Sequence, residues 1–419
     1  MGNWAARSVA MSSTRTQTTL LAGHDLLGHF GPAGISPTTP GLLSWSAERG
    51  ARLELVEPDD EWPNDMGGAQ FTVHGLTRDG EDITLLNTWI RHQTFDDRTT
   101  GVSGSTLVLG EHIGPETLWS QASYGTANLT EWVREHGRSV SYPDPGDFDK
   151  LRLDWWPPAA RVVELPDSTL TFGIWMSNDG STYAADWSMR TRQHLGVKLK
   201  TALSLNDLHR HYAQPLLAFT HFVSDRPDSL IYETLRDPES NRHVVVMRQG
   251  SVATPREWRP TDGYLFHADT LEDFDAVIKR WWELHETVWS ALGVFASHIA
   301  EGNSYSPARL LILYSALEAY AKVRHGHKDF RKLRQYAGIK GEVIGATNHS
   351  LDLLGASRGY FAHLKAPSET YTLADVENEM LPSTRRGSGL MQACLLRELG
   401  FAPSKIEELL KGHYRGWAI

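Results

Sequence analysis

Residues 274–299 read FDAVIKRWWELHETVWSALGVFASHI, and this stretch decides how the C-terminal half of the chain folds. Its apolar side chains, with one histidine among them, recur every three or four residues and form a single stripe: Phe274, Val277, Ile278, Trp281, His285, Val288, Leu292, Phe295 and Ile299. This spacing follows the 3.6-residue period of an α-helix. It predicts an amphipathic helix of about seven turns.

The residues that follow this stretch also have helical patterns. Ser306 and Pro307 predict an N-cap and a first-turn proline, at the start of a strongly apolar helix over residues 308–322. Shorter helices are expected at residues 328–336, 350–364, 373–380, 390–399 and 403–410. We therefore predict an all-helical bundle in the C-terminal part of the chain.

The N-terminal half has the alternation that is typical of β-strands. Phe71–Gly75 and Ile83–Leu86 flank an Asp79-Gly80 turn, which predicts a β-hairpin. Other strands are expected at residues 52–56, 105–109, 150–154, 161–165, 169–176, 183–189 and 243–247. Many short strands separated by glycine, aspartate and proline predict a β-sandwich or a barrel-like domain.

Together these patterns predict an α+β protein of two domains. Residues 1–18 are polar and non-periodic, and we expect them to form a flexible tail. Residues 19–262 form the predicted β-rich domain, which carries one amphipathic helix near residues 203–223. A stretch with two prolines and a glycine, residues 254–263, predicts the linker to the helical domain over residues 263–419.

The composition limits the classes of function that are open to the chain. With 41 basic and 51 acidic residues the net charge is −10, which argues against a general coat for nucleic acid. Cys394 is the single cysteine, so no intrachain disulfide can form and a reducing cytoplasm is the expected location. No apolar run reaches 18 residues, and no phosphate-binding glycine loop or zinc-protease helix motif is present. We expect no membrane span, no cofactor and no bound metal.

An arginine and a histidine near the C-terminal end, Arg358 and His363, are the leading candidates for chemistry. Arginine binds phosphate with a planar fork of donors, and histidine moves protons near neutral pH. Five residues of helix correspond to about 500°, so the two Cβ directions differ by about 140°. The pair can converge through the long arginine side chain, through a helix that starts near Gly359, or through a second subunit.

Other histidines offer weaker candidates. Arg280 and His285 repeat the Arg-x4-His spacing, but His285 lies on the apolar stripe and is expected to be a hydrogen-bonded core or interface residue. One of the two matches is expected by chance in a chain with 19 histidines. His209 and His211 lie two residues apart on a predicted helix and face different directions, so a surface role is expected for them.

The order of the C-terminal blocks resembles a known family. A long amphipathic helix leads into an apolar helix with Leu317-Glu318, a later helix carries Arg358 and His363, and the chain closes with residues 395–401, LLRELGF. This order resembles the HEPN ribonuclease superfamily, and specifically the C-terminal domain of ApeA-type anti-phage defence proteins. The N-terminal half is similar to the ApeA N-terminal domain at Gly75, residues 79–85, 109–112 and 205–222. The resemblance covers roughly residues 40–415.

This resemblance implies metal-independent RNA cleavage by a HEPN homodimer in an abortive-infection type of defence. The Arg-x4-His motif of the family falls on Arg358 and His363. Glu318 would be an orienting carboxylate, Tyr360 a base-stacking aromatic and Lys365 a supporting basic residue, although structural roles remain the simpler interpretation for the first two. The implied substrate is host or phage RNA, with tRNA among the candidates, and the products carry 2′,3′-cyclic phosphate and 5′-hydroxyl ends.

Two further expectations come from the same resemblance. The β-rich domain would sense an unknown phage-derived trigger and control the HEPN domain. Many family members carry a polar residue directly after the motif arginine, whereas this chain has Gly359. The alternative to an active ribonuclease is therefore a catalytically inactive HEPN module, which binds RNA, a nucleotide or a protein and is fused to a ligand-sensing β domain.

Overall fold

The computed structural model describes most of the chain and confirms the predicted α+β class. The described residues are 16–17, 19–59, 62–63, 70–94, 99–134, 138–141, 152–156, 158–179, 188–250, 263–301, 306–364 and 370–414. A β-rich part over residues 26 to about 250 precedes an all-helical region. Most of the predicted flexible tail and nearly all of the predicted linker lie outside the described residues.

The strands within the described residues form one large antiparallel sheet and one two-stranded sheet. They are β1 Leu26–Pro32, β2 Thr39–Ser46, β3 Gly50–Val56, β4 Phe71–Thr77, β5 Asp82–Thr94, β6 Thr99–Leu109, β7 Leu118–Thr126, β8 Arg138–Ser141, β9 Arg152–Trp155, β10 Arg161–Glu164, β11 Ser168–Asp179, β12 Ser188–Ser204, β13 Leu230–Asp237 and β14 Arg242–Arg248.

Strands β1 to β6 close into a barrel. They pair in the order β6-β3-β2-β1-β4-β5, and β5 pairs again with β6. The predicted hairpin is confirmed, because Gly75 of β4 lies opposite Ile83 of β5. Gly75 also lies opposite Phe30 of β1, and a Cβ at residue 75 would overlap the Phe30 ring. The glycine therefore leaves room for a fully buried aromatic side chain inside the barrel.

The remaining large-sheet strands extend the sheet from β6 in the order β14-β13-β7-β12-β11-β10. Residues 183–187 of the strand predicted at residues 183–189 lie outside the described residues, and strand β12 begins at Ser188 and continues to Ser204. Ser204 then caps the helical segment that follows, and its hydroxyl accepts a hydrogen bond from the Asp207 N–H. Strands β8 and β9 form a separate pair.

The helices of the described residues include every helix that the sequence predicted. They include α1 Ala127–Val133, α2 Leu205–Leu208, α3 Gln214–Ser224, α4 Phe274–Ala300, α5 Pro307–His325, α6 Phe330–Ala337, α7 Asn348–His363, α8 Leu373–Asn378, α9 Met380–Glu398 and α10 Pro403–His413. A π-helical turn, His209–Ala213, separates α2 from α3 and comes just before Pro215. The extra residue of a π-turn accommodates a proline that lacks a backbone donor.

The chain divides into two compact units that are not continuous in sequence. The first comprises residues 1–127, 157–213 and 229–258, and the second comprises residues 128–156, 214–228 and 259–419. The predicted division at residues 262/263 lies close to one of these boundaries. The domain bounds that the sequence suggested stay a prediction, because the second unit also takes two segments from the N-terminal half.

An aromatic core holds the second unit together. The Trp281 ring of α4 stacks on Phe222 at 5.4 Å between centroids and meets Phe219 edge-on at 5.3 Å. The Trp281 indole N–H donates to the Pro215 carbonyl oxygen at 2.9 Å. Trp132 of α1 completes the cluster through a 4.8 Å contact with Phe219. Because Trp281 is fully buried and its donor is satisfied, the apolar stripe of α4 has the packing that its sequence predicts.

Candidate functional site

The helix that carries Arg358 and His363 begins and ends with clear local signals. The Thr347 hydroxyl accepts a hydrogen bond from the Ser350 N–H at the first turn of α7. Leu351, Leu354 and Ser357 form the buried face of the helix. Leu364 adopts a left-handed conformation with φ of 52° and is 83% exposed, so the helix ends directly after His363. These features place the imidazole of His363 in the exposed last turn.

The structure brings the two side chains of the motif together. Arg358 Nη1 lies 3.2 Å from His363 Nε2 at the surface of α7. A guanidinium has donors and no acceptor, so in this hydrogen bond Nη1 of Arg358 donates and Nε2 of His363 accepts. Among the described residues, no carboxylate forms an ion pair with Arg358.

This contact decides between the three ways in which the pair could converge. Gly359 lies inside α7, so a helix start near Gly359 is ruled out. The two groups meet within one chain, so their contact does not need a second subunit. The length of the arginine side chain is what overcomes the difference of about 140° in Cβ direction.

Helix α5 supplies the surroundings of the Arg358 guanidinium. The central guanidinium carbon of Arg358 lies 5.5 Å from the centroid of the Tyr314 ring on α5, within the range of a cation–π interaction. The Tyr314 ring in turn packs against Phe330 of α6 at 5.0 Å. Burial raises the pKa of the Tyr314 hydroxyl and nearby Glu318 raises it further, whereas Arg358 and Lys328 oppose the shift.

The sequence did not identify Tyr314 or Lys328 as part of this region. Glu318 and Tyr314 lie four residues apart on α5, which places them on the same helix face. An inspection of that face starting from Glu318 would have found Tyr314. Lys328 forms an ion pair with Glu318, so this carboxylate already has a cationic partner.

Tyr360 and Lys365 are the remaining predicted site residues. The half-buried Tyr360 ring lies 5.1 Å from the ring of its neighbour Phe361. Lys365 lies outside the described residues. The roles of Glu318, Tyr360 and Lys365 in chemistry therefore stay predictions.

Gly359 can be replaced by a polar residue without a steric conflict. A Cβ at residue 359 would meet no atom within 4 Å, and the backbone there is helical. We expect Gly359→Asn to leave the unfolding free energy unchanged or to raise it by about 0.3 kcal/mol, since asparagine has the higher helix propensity. Urea denaturation measures this change.

Gly387→Asn is the matched control for that substitution. A Cβ at residue 387 of α9 would overlap Leu313 and crowd Leu317, both of α5. We expect this variant to lose about 2 kcal/mol from overpacking. An equal loss of unfolding free energy in Gly359→Asn would contradict the open space beside Gly359 on α7.

The second Arg-x4-His match has a structural role for its arginine. Arg280 Nη1 donates to the Leu399 carbonyl oxygen at 2.8 Å, at the C-terminal end of α9. A cation at the end of a helix is favourable because the last carbonyls carry partial negative charge. His285 is 7% exposed on the buried face of α4. The match is therefore a helix-end contact and a core histidine, in agreement with the interpretation from the apolar stripe.

A second cluster of ionisable groups lies near Arg280 in the same unit. The Glu398 side chain, which is 7% exposed, accepts two hydrogen bonds from Arg324 at 2.8 and 2.9 Å and one from the Tyr320 hydroxyl at 2.9 Å. Burial acts to raise the Glu398 pKa, but the hydrogen bonds from Arg324, Tyr320 and Tyr336 outweigh it and lower the pKa below its usual value. A cavity of about 220 Å³ borders Arg280, Arg324 and Glu398.

The described residues offer no competing metal or membrane site. They contain no group of three or more histidine, cysteine or acidic side chains that could hold a metal ion. His211 is exposed, whereas burial and the charge of Arg248 lower the pKa of His209 to about 3, so the two histidines do not act together. No helix in the described part of the chain has the length and apolar character needed to cross a membrane.

The fold defines a two-part α+β protein in which a β-rich N-terminal part precedes a helical region with an exposed Arg–His pair. The sequence model of the ApeA N-terminal domain 1 matches residues 26–281, which is more than half of the chain. The chain therefore belongs to the ApeA family, and this membership indicates a role in anti-phage defence. No curated protein and no solved structure matches it.

This match confirms the resemblance that the N-terminal half suggested. It ends at Trp281 in α4, before the helices that carry Arg358 and His363. The assignment of the helical region to the HEPN superfamily stays a prediction.

Proposed function

We propose that the protein is a metal-independent HEPN endoribonuclease that cleaves host or phage RNA in an abortive-infection response. The observation that carries the proposal is the 3.2 Å contact between Arg358 Nη1 and His363 Nε2 on an exposed helix surface. An arginine without a carboxylate partner among the described residues keeps its charge available for phosphate. The imidazole beside it can accept a proton through Nε2, as a general base does.

The chemistry follows from these two groups. An RNA phosphate draws the Arg358 guanidinium onto its oxygens, which releases Nε2 of His363. Nε2 then accepts the proton of the 2′-hydroxyl while O2′ attacks phosphorus and the bond from phosphorus to O5′ breaks. Arg358 stabilises the charge that develops on the phosphate oxygens. The products are a 2′,3′-cyclic phosphate and a 5′-hydroxyl.

The leaving 5′-oxygen needs a proton from an acid. A homodimer that forms through the helical region would bring a second His363, as imidazolium, to the same cleft. The dimer here serves to supply the acid, because the Arg–His contact itself forms within one chain. We place the enzyme in the cytoplasm, and we assign to the β-rich part the sensing of a phage-derived trigger.

The test is cleavage of total RNA by the purified protein in excess EDTA, with His363→Ala as the control for contaminating nuclease. We expect fragments with 2′,3′-cyclic phosphate ends from the wild-type protein alone. Cleavage that stops in EDTA would contradict the mechanism. RNA binding without cleavage would support the alternative, a non-catalytic HEPN module in which Gly359 marks the loss of activity.

A further inference from the structure

We propose that Tyr314 is a positioning residue that holds the guanidinium of Arg358 in place for the RNA phosphate. This inference rests on the proposed function, since it concerns how the same site is prepared for its substrate. The observation behind it is the 5.5 Å contact between the Arg358 guanidinium and the face of the Tyr314 ring.

A half-buried arginine at the surface of a helix needs a support if it is to remain near His363. Its side chain has many rotamers, so an unsupported guanidinium would spend little time in the one position that reaches Nε2. Proteins usually hold such a group with a carboxylate, but a carboxylate neutralises the charge and competes with phosphate. An aromatic face attracts the guanidinium through its quadrupole and leaves the net charge intact. Tyr314 therefore orients Arg358 without reducing its affinity for an anion.

The ring itself is well fixed. Tyr314 lies in α5 and packs on Phe330, which is 6% exposed and begins α6. The side chain of Asp329 caps the same helix by accepting a hydrogen bond from the Arg331 N–H at 2.9 Å. The support for Arg358 thus extends into the packed interior of the helical unit.

The nearby ion pair keeps the competing carboxylate occupied. Glu318 lies one helical turn after Tyr314 and is close enough to affect the pKa of its hydroxyl. Its partner is Lys328, which immediately precedes the capped start of α6. Because Lys328 binds Glu318, this carboxylate has a cation other than Arg358. The arrangement separates the charge that binds phosphate from the nearest acid on α5.

The experiment compares Tyr314→Leu with Tyr314→Phe in RNA cleavage and in binding of an uncleavable 2′-O-methyl RNA. We expect Tyr314→Leu to lower kcat/KM by about 10- to 100-fold, since misplacement of a catalytic group by about 1 Å can cost up to about 100-fold. It should weaken binding of the 2′-O-methyl RNA, by a smaller factor than Arg358→Ala does. Tyr314→Phe keeps the ring and should stay within about threefold of the wild-type protein. Ser315→Ala, an exposed change on the same helix, should leave both readouts unchanged.

A double variant separates positioning from a general loss of structure. In an Arg358→Ala background, Tyr314→Leu should cause no further loss of RNA binding or cleavage, because the group that it supports is gone. If the losses of the two single variants add up in the double variant, the inference is overturned. Wild-type activity and RNA binding in Tyr314→Leu would also overturn it. If the wild-type protein cleaves no RNA, the proposed function fails. The binding comparison then still decides whether Tyr314 acts through Arg358.

Discussion

Replacing His363 with alanine is expected to lower the rate of RNA cleavage by about 10²–10⁴-fold, because the reaction loses its general base. Arg358→Ala should lower the rate of RNA cleavage by about 10²–10³-fold, because the charge that develops on the phosphate is no longer stabilised. His363 lies in the exposed last turn of α7, so its removal should change the unfolding free energy by less than about 0.5 kcal/mol. Single-turnover cleavage of a short RNA, together with urea denaturation, measures both effects.

His349→Ala is the matched control for this prediction. His349 is exposed on the same helix at its other end and makes no contact with Arg358. We expect its cleavage rate to stay within about twofold of the wild-type rate. A His363 variant that cuts RNA at the normal rate would refute the site assignment. Loss of cleavage in Arg280→Ala alone, with the fold intact, would show that the other Arg-x4-His match is the active one.

Replacing Glu398 with alanine is expected to destabilise the helical unit by about 2–3 kcal/mol. The variant leaves the fully buried Tyr320 hydroxyl without its acceptor and removes both hydrogen bonds of Arg324. Denaturation followed by far-UV circular dichroism at neutral pH measures the loss. Glu408→Ala removes an exposed ion pair with Lys405 on α10 and should have no measurable effect.

The stabilisation that Glu398 provides should decrease as the pH falls. The pKa of Glu398 is lowered in the folded state. Its contribution to the unfolding free energy is therefore fully present above the pKa of an unfolded glutamate, about 4.3. That contribution is lost as the pH falls through the lower pKa of the folded state. The difference in unfolding free energy between wild type and Glu398→Ala should therefore narrow as the solution becomes more acidic than about pH 4. A difference that widens in acid would contradict the role of the ionised carboxylate.

The helices were the part of the fold that local patterns predicted best. The stripe of α4 and the Ser306-Pro307 start of α5 are both confirmed, because an amphipathic period and a cap depend on residues only a few positions apart. Helix α9 was predicted only from Leu390 onward, although it begins at Met380. Its first half contains Pro382 and Gly387, which argue against a helix locally. Packing of Gly387 against Leu313 outweighs that local preference.

The strands were harder to predict than the helices. Only residues 188–189 of the predicted segment at residues 183–189 are described, and they begin strand β12, which continues to Ser204. The pairing of β3 with β6 in the barrel joins residues that lie far apart in the sequence. Register and closure depend on partners far away in the sequence. The alternation of side chains predicts that a segment is a strand but does not tell which strand lies beside it.

For the candidate site, the sequence by itself determined the residue types: an arginine and a histidine five positions apart in a late helix. It also determined that their Cβ directions diverge, because five residues do not complete a whole number of helical turns. The tertiary structure decided that the pair nevertheless meets within one chain, and that the Tyr314 ring of another helix lies against the guanidinium. It decided in the same way that Arg280 contacts a helix end. The reason is physical: side-chain reach and the neighbours that restrict it are set by packing between helices that are distant in sequence.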